Sequence, residues 1–350
     1  MINHDRTKDL SLRPGIKLLS LAFAPAMLAI LIASATCQAE PKPEVVADAS
    51  DGLNNPFGIT FDSDNNAYLV EYLGGRIFIL KPGGKPQLFA GKAEKGFAGD
   101  GGDANKALFN GMHNAVCTST NQLYISDTRS NRIRKIDLGI GLISTIAGNG
   151  EPGFSGDCGP GNLATLNDPI SIAWNQKSNQ LLIADIRNRR IRAIDLKSGI
   201  IKTLAGTGEK GVPEEGAIAT QSPLYDPRAC DVDSKGNLYI LERSGHALRV
   251  VGTDGTIRTV AGTGKKGSSD GPALQAGLNG PKHLCFDDKD RVIIADAENH
   301  LIRIYDPKKQ SLTTLLGHQA KLNRPHGVTF HEGWLYIADS WNNRVLRIKL

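Results

Sequence analysis

The sequence predicts an all-β fold: a six-bladed β-propeller of four-stranded blades, with a strand near the N-terminus closing the last blade. Three observations carry this expectation. One unit recurs six times, and the glycine-rich stretches that separate units repeat at Gly148, Gly206 and Gly262, 58 and then 56 residues apart. Each unit contains short runs rich in β-branched residues and bounded by Gly, Pro, Asn or Asp, the pattern of strands joined by tight turns. Four such strands per unit at this period suit a radial array of sheets better than a sandwich.

In chain order, residues 1–39 stand apart. A basic start precedes an uncharged apolar run from Leu18 to about Thr36, and small residues lead to Ala39. This is the pattern of a secretion signal or, uncleaved, of a membrane anchor. Either places the remainder, residues 40–350, outside the cytoplasm, secreted or periplasmic. The segment holds four bases (Arg6, Lys8, Arg13, Lys17) and two acids (Asp5, Asp9), so the formal charge of +5 falls to +3 without it. That balance is too weak to argue for nucleic acid, and export argues against it.

Next comes "EVVAD", Glu44 to Asp48, which has the pattern of an outer strand and precedes the first unit. The units then open on "NNPFGITFD", "GMHNAVCT", "NDPISIAWN", "YDPRACDVD", "NGPKHLCFD" and "NRPHGVTFH". Second strands follow ("LYISD", "LLIAD", "LYIAD"), then third strands ("RIRKID", "RIRAID", "RVLRI"), then outer strands ("STIAG", "KTLAG", "RTVAG"). The sixth unit stops after its third strand at Leu350. "EVVAD" is expected to fill the vacant place and remove the exposed edges.

Gly206, Gly208 and Gly211 spell G-x-G-x-x-G after a strand, which can mark a dinucleotide site. The spelling recurs at Gly148, Gly150, Gly153 and at Gly262, Gly264, Gly267, and the residues after it are too rich in Gly and Pro for a crossover helix. These glycines therefore mark a repeated loop that needs positive φ. Four cysteines follow residue 39. Cys117, Cys230 and Cys285 fall in expected strands, where a buried small side chain is the plain expectation; pairing of Cys230 with Cys285 stays open, and Cys158 lies in a connection.

The tripeptide Asn299-His300-Leu301, the run "LYISDTRSNRIRKID" (Leu123 to Asp137) and the connection "AGNGEPGFSGDCGPG" resemble the NHL-repeat propellers, in particular bacterial, extracytoplasmic ones. The resemblance covers about residues 44–350. It implies six blades, but no single activity, because such propellers include binding scaffolds and metal enzymes.

An acid ending the second strand and an Arg starting the third can meet across the hairpin. Asp127 with Arg132, Asp185 with Arg190 and Asp339 with Arg344 are expected to be such structural pairs. Function is sought instead where blades differ on the face that carries these hairpins. The residues after the repeat's Pro (Phe57, His113, Ile170, Arg228, Lys282, His326), the next ones (including Asn114 and His283) and the outer turns (Tyr72, Arg129, Arg187, Arg243, Trp341) gather there. Ligand binding is assigned to His113, Asn114, Arg228, Lys282, His283, His326, Arg129, Arg187, Arg243, Tyr72 and Trp341. Such a basic mouth focuses positive potential on an anionic glycan, an envelope component or a protein partner, with Tyr72 and Trp341 able to stack on a sugar. No cofactor is needed for that.

The alternative is a metal-dependent lyase or lactonase. His113, His283 and His326 would converge on zinc, and Pro325-His326 resembles the inner-strand Pro-His of peptidyl-amidoglycolate lyases. Calcium would need oxygens such as those of Asn114 and Asp231.

Overall fold

The structure, a computed structural model, describes residues 41–350; the expected leader lies outside them. Six antiparallel sheets follow one another along the chain. Their inner strands pack in order around a ring: Pro56–Phe61, Met112–Thr118, Pro169–Asn175, Pro227–Val232, His283–Phe286 and Gly327–His331. Blade two shows the plan, with Gln122–Asp127, Arg132–Asp137 and Ile143–Ala147 laid outside its inner strand in sequence. Both faces of each sheet are covered by neighbours, so second strands such as Leu181–Asp185 are buried throughout and read as continuous apolar runs rather than alternations. Between blades two and three, for example, Tyr124 and Ile133 pack with Leu181, Ile183 and Ile201.

The ring closes as the pattern predicts. Glu44–Ala47 lies antiparallel to the last strand, Arg344–Lys349, with Val45 opposite Leu346 and Ala47 opposite Val345. The first and last described strands therefore share one blade.

No α-helix follows the glycine triplets. Gly148 has φ +82°, and a Cβ there would lie 2.1 Å from the carbonyl oxygen of Asn131, so only glycine fits. Beyond it the connection runs along the outer edge of the next blade. Cys158 donates its N–H to Ile201 (2.8 Å), and Ile201 donates back to Gly159 (3.0 Å). In blades four and five the same segment forms a short fifth strand, Ala217–Ile218 and Gly271–Pro272. The glycine-rich segments thus cover sheet edges that would otherwise be open to pairing. Cys117, Cys230 and Cys285 are buried, Cys158 is exposed, and all four are free.

The acids that end second strands are fully buried, and each holds the turn before its own inner strand: Asn110 N–H bonds Asp127 Oδ1 at 2.7 Å, and Asn167 N–H bonds Asp185 Oδ1 at 2.8 Å. Their cationic partners correct the sequence expectation. Asp339 does pair with Arg344, at 2.6 Å. Asp127 and Asp185 pair instead with Arg134 (3.4 Å) and Arg192 (3.6 Å), two residues beyond Arg132 and Arg190. The reason is depth. Arg134 and Arg192 are fully buried and need a counter-charge, while Arg132 and Arg190 lie over the rings of Phe97 and Phe154 and cap loop carbonyls. In blade six the deeper position is Leu346, so the nearer arginine takes the acid; in blade one it is Phe78, and Arg76 pairs with Glu71 at 2.8 Å.

Arg134 also reaches Asp100 in the preceding connection (2.7 Å), and Asp100 accepts the hydroxyl of Thr145 on the outer strand (2.6 Å). Asp157 repeats this with Arg192 and Thr203, and Asp270 with Arg303 and Thr314. These chains of charge tie connection, third strand and outer strand together.

Candidate functional site

Each of the first four inner strands begins with a break in register. The break falls between Pro56 and Gly58, Met112 and Ala115, Pro169 and Ile172, and Pro227 and Ala229. A bulge re-aims the residue it releases, and Phe57, His113, Ile170 and Arg228 all stand at these breaks and line one opening. Lys282 and His326 join them just ahead of the fifth and sixth inner strands. The opening is a mouth of about 850 Å³, walled by the hairpin turns between second and third strands. Nine of the eleven expected binding residues line it: His113, Arg228, Lys282, His326, Arg129, Arg187, Arg243, Tyr72 and Trp341.

Most bases of the rim have partners. Arg129 and Arg187 both hold Asp168, each at 3.0 Å, and Arg243 holds Asp226 at 2.8 Å. Lys282 lies 3.2 Å from Glu298, which also binds Arg324. Trp341 is half exposed and carries the Arg324 guanidinium over its ring at 4.3 Å. Arg228 is the exception. It is 5% exposed, its guanidinium makes no hydrogen bond or ion pair with the described residues, and its Nε is sealed from solvent. Burial, with Arg243 nearby, lowers its pKa to about 9, and burial beside Arg228 lowers that of Lys282 to about 8. The mouth is therefore a buried positive centre inside a rim of largely neutralised charge.

The wall opposite is aromatic. Phe57 and Tyr72 stack with centroids 4.8 Å apart, and His326 stacks on Phe57 at 4.0 Å. His326 Nδ1 donates to the Arg324 carbonyl (2.8 Å). His113 Nδ1 donates to Thr128 Oγ1 (2.9 Å), whose own hydroxyl proton goes to the Pro169 carbonyl (2.7 Å). Both rings thus keep Nε2 as a free acceptor, and burial plus Arg228 holds both neutral.

Two expected residues are not in the mouth. Asn114 Nδ2 lies 3.1 Å from His283 Nε2, and Asn114 Oδ1 accepts the Ile172 N–H at 3.0 Å. Both line a second cavity of about 250 Å³, with Asp231, on the other side of the bulges. His113, His283 and His326 therefore do not converge, which corrects the zinc alternative. Asn114 and Asp231 share the lower cavity, but among the described residues no group of three or more His, Cys, Asp or Glu side chains is placed to hold a metal.

Sequence reasoning did not single out Phe57, Lys210, Tyr225 or Arg324 as binding residues, although all line the mouth. Phe57 holds the same repeat position as His113 and Arg228, and that shared position was the available signal. Lys210 lies in a connection, and Tyr225 and Arg324 stand two residues and one residue ahead of the repeat's Pro.

Comparison with known proteins agrees with this architecture. A family model described as NHL repeat matches residues 278–305. NHL repeat-containing protein 2 of Bos taurus is 26% identical over 338 residues, covering 83% of this chain and 46% of that protein. The chain spans less than half the length of the curated relatives it matches first. An auxiliary nutrient binding protein from Bacteroides thetaiotaomicron superposes with a TM-score of 0.61 at 15% identity, over 85% of this chain and 69% of that one. Virginiamycin B lyase from Staphylococcus aureus gives 0.56 at 12%, over 89% and 100%. At such identities the solved structures speak for the fold alone. Together with the six repeats and the closed ring, these likenesses describe a six-bladed β-propeller that carries an NHL repeat at residues 278–305 and is similar to NHL repeat-containing proteins.

Proposed function

We propose that this protein is an extracytoplasmic binding propeller that captures an anionic ligand (an acidic glycan, an envelope component or an acidic protein segment) in the mouth around Arg228, without catalysis. The observation that carries this reading is the unpartnered Arg228 guanidinium at the base of an 850 Å³ opening. A buried cation without a counter-charge costs stability, and an incoming carboxylate or phosphate supplies what is missing, in bidentate fashion. The export pattern of residues 1–39 supports the location. That a protein of like fold is described as nutrient binding is consistent with a ligand role for such a mouth.

Acidic glycan and acidic peptide arrays probed with the wild type and with Arg228→Ala test the proposal. The expected result is a signal on acidic ligands that the substitution abolishes. A signal untouched by it places binding elsewhere.

One observation favours a lyase. His113 and His326 present Nε2 lone pairs with Nδ1–H fixed by oxygen acceptors, the arrangement of metal-bound imidazoles. Arg228 and Lys282 oppose it, because their charge disfavours a dication at the same spot. Elemental analysis of the purified protein decides between the two: stoichiometric zinc lost on His113→Ala and His326→Ala would overturn the binding reading.

A further inference from the structure

The turn between second and third strands ends on a left-handed residue in every blade: Gly75, Asn131, Arg189, His246, His300 and Asn343. In four blades this residue closes the seam to the next blade, accepting the N–H just ahead of the repeat's Pro. Asn131 Oδ1 accepts from Asp168 (3.0 Å), His246 Nδ1 from Gly280 (3.2 Å), His300 Nδ1 from Arg324 (3.1 Å) and Asn343 Oδ1 from Asn55 (2.8 Å). Arg189 of blade three has no acceptor to offer blade four. Its φ is +47°, a conformation that suits Gly or Asn better than Arg. A strained residue that does not make the contact its position serves elsewhere points to function.

Its surroundings are cationic. Eight Lys or Arg side chains line the mouth against two carboxylates, Asp168 and Asp226. Asp168 is divided between Arg129 and Arg187, and Asp226 is taken by Arg243. Arg189 and Lys210 have no carboxylate among the described residues: Arg189 donates to the Gly208 carbonyl (3.1 Å), and Lys210 lies over the Tyr225 ring (4.6 Å). Glu209 does not line the opening. Tyr225 stands three residues ahead of Arg228. Unneutralised charge therefore runs from the rim, at the seam between blades three and four, to the base at Arg228.

Resting on the anion-binding reading above, we infer that Arg187, Arg189 and Lys210 form a second anion subsite, and that the ligand is an oligo-anion with one carboxylate or phosphate on Arg228 and another, in the same chain, on this seam. A single anion at Arg228 leaves Arg189 and Lys210 without a counter-charge. Once the first group is seated, capture of the second is intramolecular and adds affinity. The seam's charges are exposed and screened by salt, whereas Arg228 is buried, so the added affinity should shrink as salt rises.

Titration calorimetry of the purified full chain compares N-acetylglutamate amide, which has one carboxylate, with tetraglutamate, tetragalacturonate and tripolyphosphate. At least one oligo-anion is expected to bind about tenfold or more tightly than the single carboxylate, and which one does so identifies the source of the anion. Arg189→Asn combined with Lys210→Gln should bring that oligo-anion down towards the single carboxylate, whose own binding stays unchanged. Arg228→Gln should weaken both. Because Asn suits the left-handed conformation, Arg189→Asn alone should raise the melting temperature while it weakens the oligo-anion; a fall in both makes Arg189 structural and overturns its role. Lys85→Gln, at an exposed lysine outside the mouth, is the control, and an equal loss there leaves only long-range charge and overturns the subsite. Oligo-anions no tighter than the single carboxylate also overturn it, while the Arg228 reading stands. Absence of binding by every probe overturns both.

Discussion

Asn114 on blade two and His283 on blade five meet across the propeller axis, Nδ2 to Nε2, at 3.1 Å. Asn114 is also tied to a third blade, since its Oδ1 accepts the Ile172 N–H on blade three. Because Asn114 Oδ1 is engaged by Ile172, its amide nitrogen faces the ring, so His283 Nε2 is an acceptor. The pair stands between the upper mouth and the lower cavity and joins three of the six blades.

That bond sets a pH dependence. Burial lowers the pKa of His283 from 6.5 to about 4. Between those values the unfolded chain binds a proton that the folded chain refuses, so stability falls as the pH drops through this window. His113 and His326, also held low by burial, add to the same slope. Replacing His283 by Gln, whose amide oxygen accepts the same bond, should remove one proton from the transition. Urea midpoints measured from pH 7 to 4.5 should fall less steeply, by about 1.4 kcal/mol per pH unit at most.

Arg228 is expected to show a trade between function and stability. Arg228→Met keeps the aliphatic volume and removes an unpaired buried charge. The unfolding free energy should rise by about 1–3 kcal/mol while anion binding disappears. Denaturant unfolding alongside a binding assay checks both halves; a loss of stability would mean that the guanidinium has a structural partner.

Much of this was legible in the sequence. The repeat fixes the blade count because each unit must cover its neighbour, and the missing outer strand of unit six points directly to Glu44–Asp48. The basic face follows from which loops share an end. What the sequence hides is the break in register at Phe57, His113, Ile170 and Arg228. It sends adjacent residues, His113 and Asn114, to opposite cavities, and no residue pattern marks it. The arginine pairs were misplaced for a similar reason. Arg132 and Arg134 are on the same face of the strand, and only their depth, set by Phe97 and by the neighbouring blade, decides which one meets Asp127.

Anion binding should weaken in mild base. Lys282 in the free protein loses its proton near pH 8, because burial and then Arg228 lower its pKa. The anion prefers the charged form, so affinity should be level below pH 8 and fall by up to roughly tenfold per unit above it. Lys282→Arg, which stays charged, should flatten the profile between pH 7.5 and 9. A profile that stays level in the wild type would remove Lys282 from the site.

The buried Asp127–Arg134 pair should prove strongly coupled. Arg134→Met alone leaves the Asp127 carboxylate without its cation and should cost about 3–5 kcal/mol. Adding Asp127→Asn keeps an oxygen for the Asn110 N–H and removes the stranded charge, so the double variant should be more stable than Arg134→Met. A double-mutant cycle by denaturant unfolding measures the difference. Arg132→Met, which leaves this pair intact and removes only the stack on Phe97 and two carbonyl caps, should cost less than Arg134→Met.

The closing strand offers the sharpest test of the ring. Ala47 is buried against the sixth blade and packs with Leu69, Ala338 and Val345. Glu44, by contrast, makes only an exposed pair with Arg347 at 2.8 Å. Surface pairs contribute about 0–1 kcal/mol, so Glu44→Ala should be nearly silent. Ala47→Asp places a carboxylate between the first and last blades with no cation to meet it, and should cost more than about 3 kcal/mol. Freed of its partner, Arg344–Lys349 becomes an open edge. The variant is therefore expected to unfold at lower denaturant and to form soluble oligomers, seen by size-exclusion chromatography with light scattering. If Ala47→Asp stays monomeric with an unchanged midpoint, the seam between Glu44–Ala47 and Arg344–Lys349 does not hold the ring together.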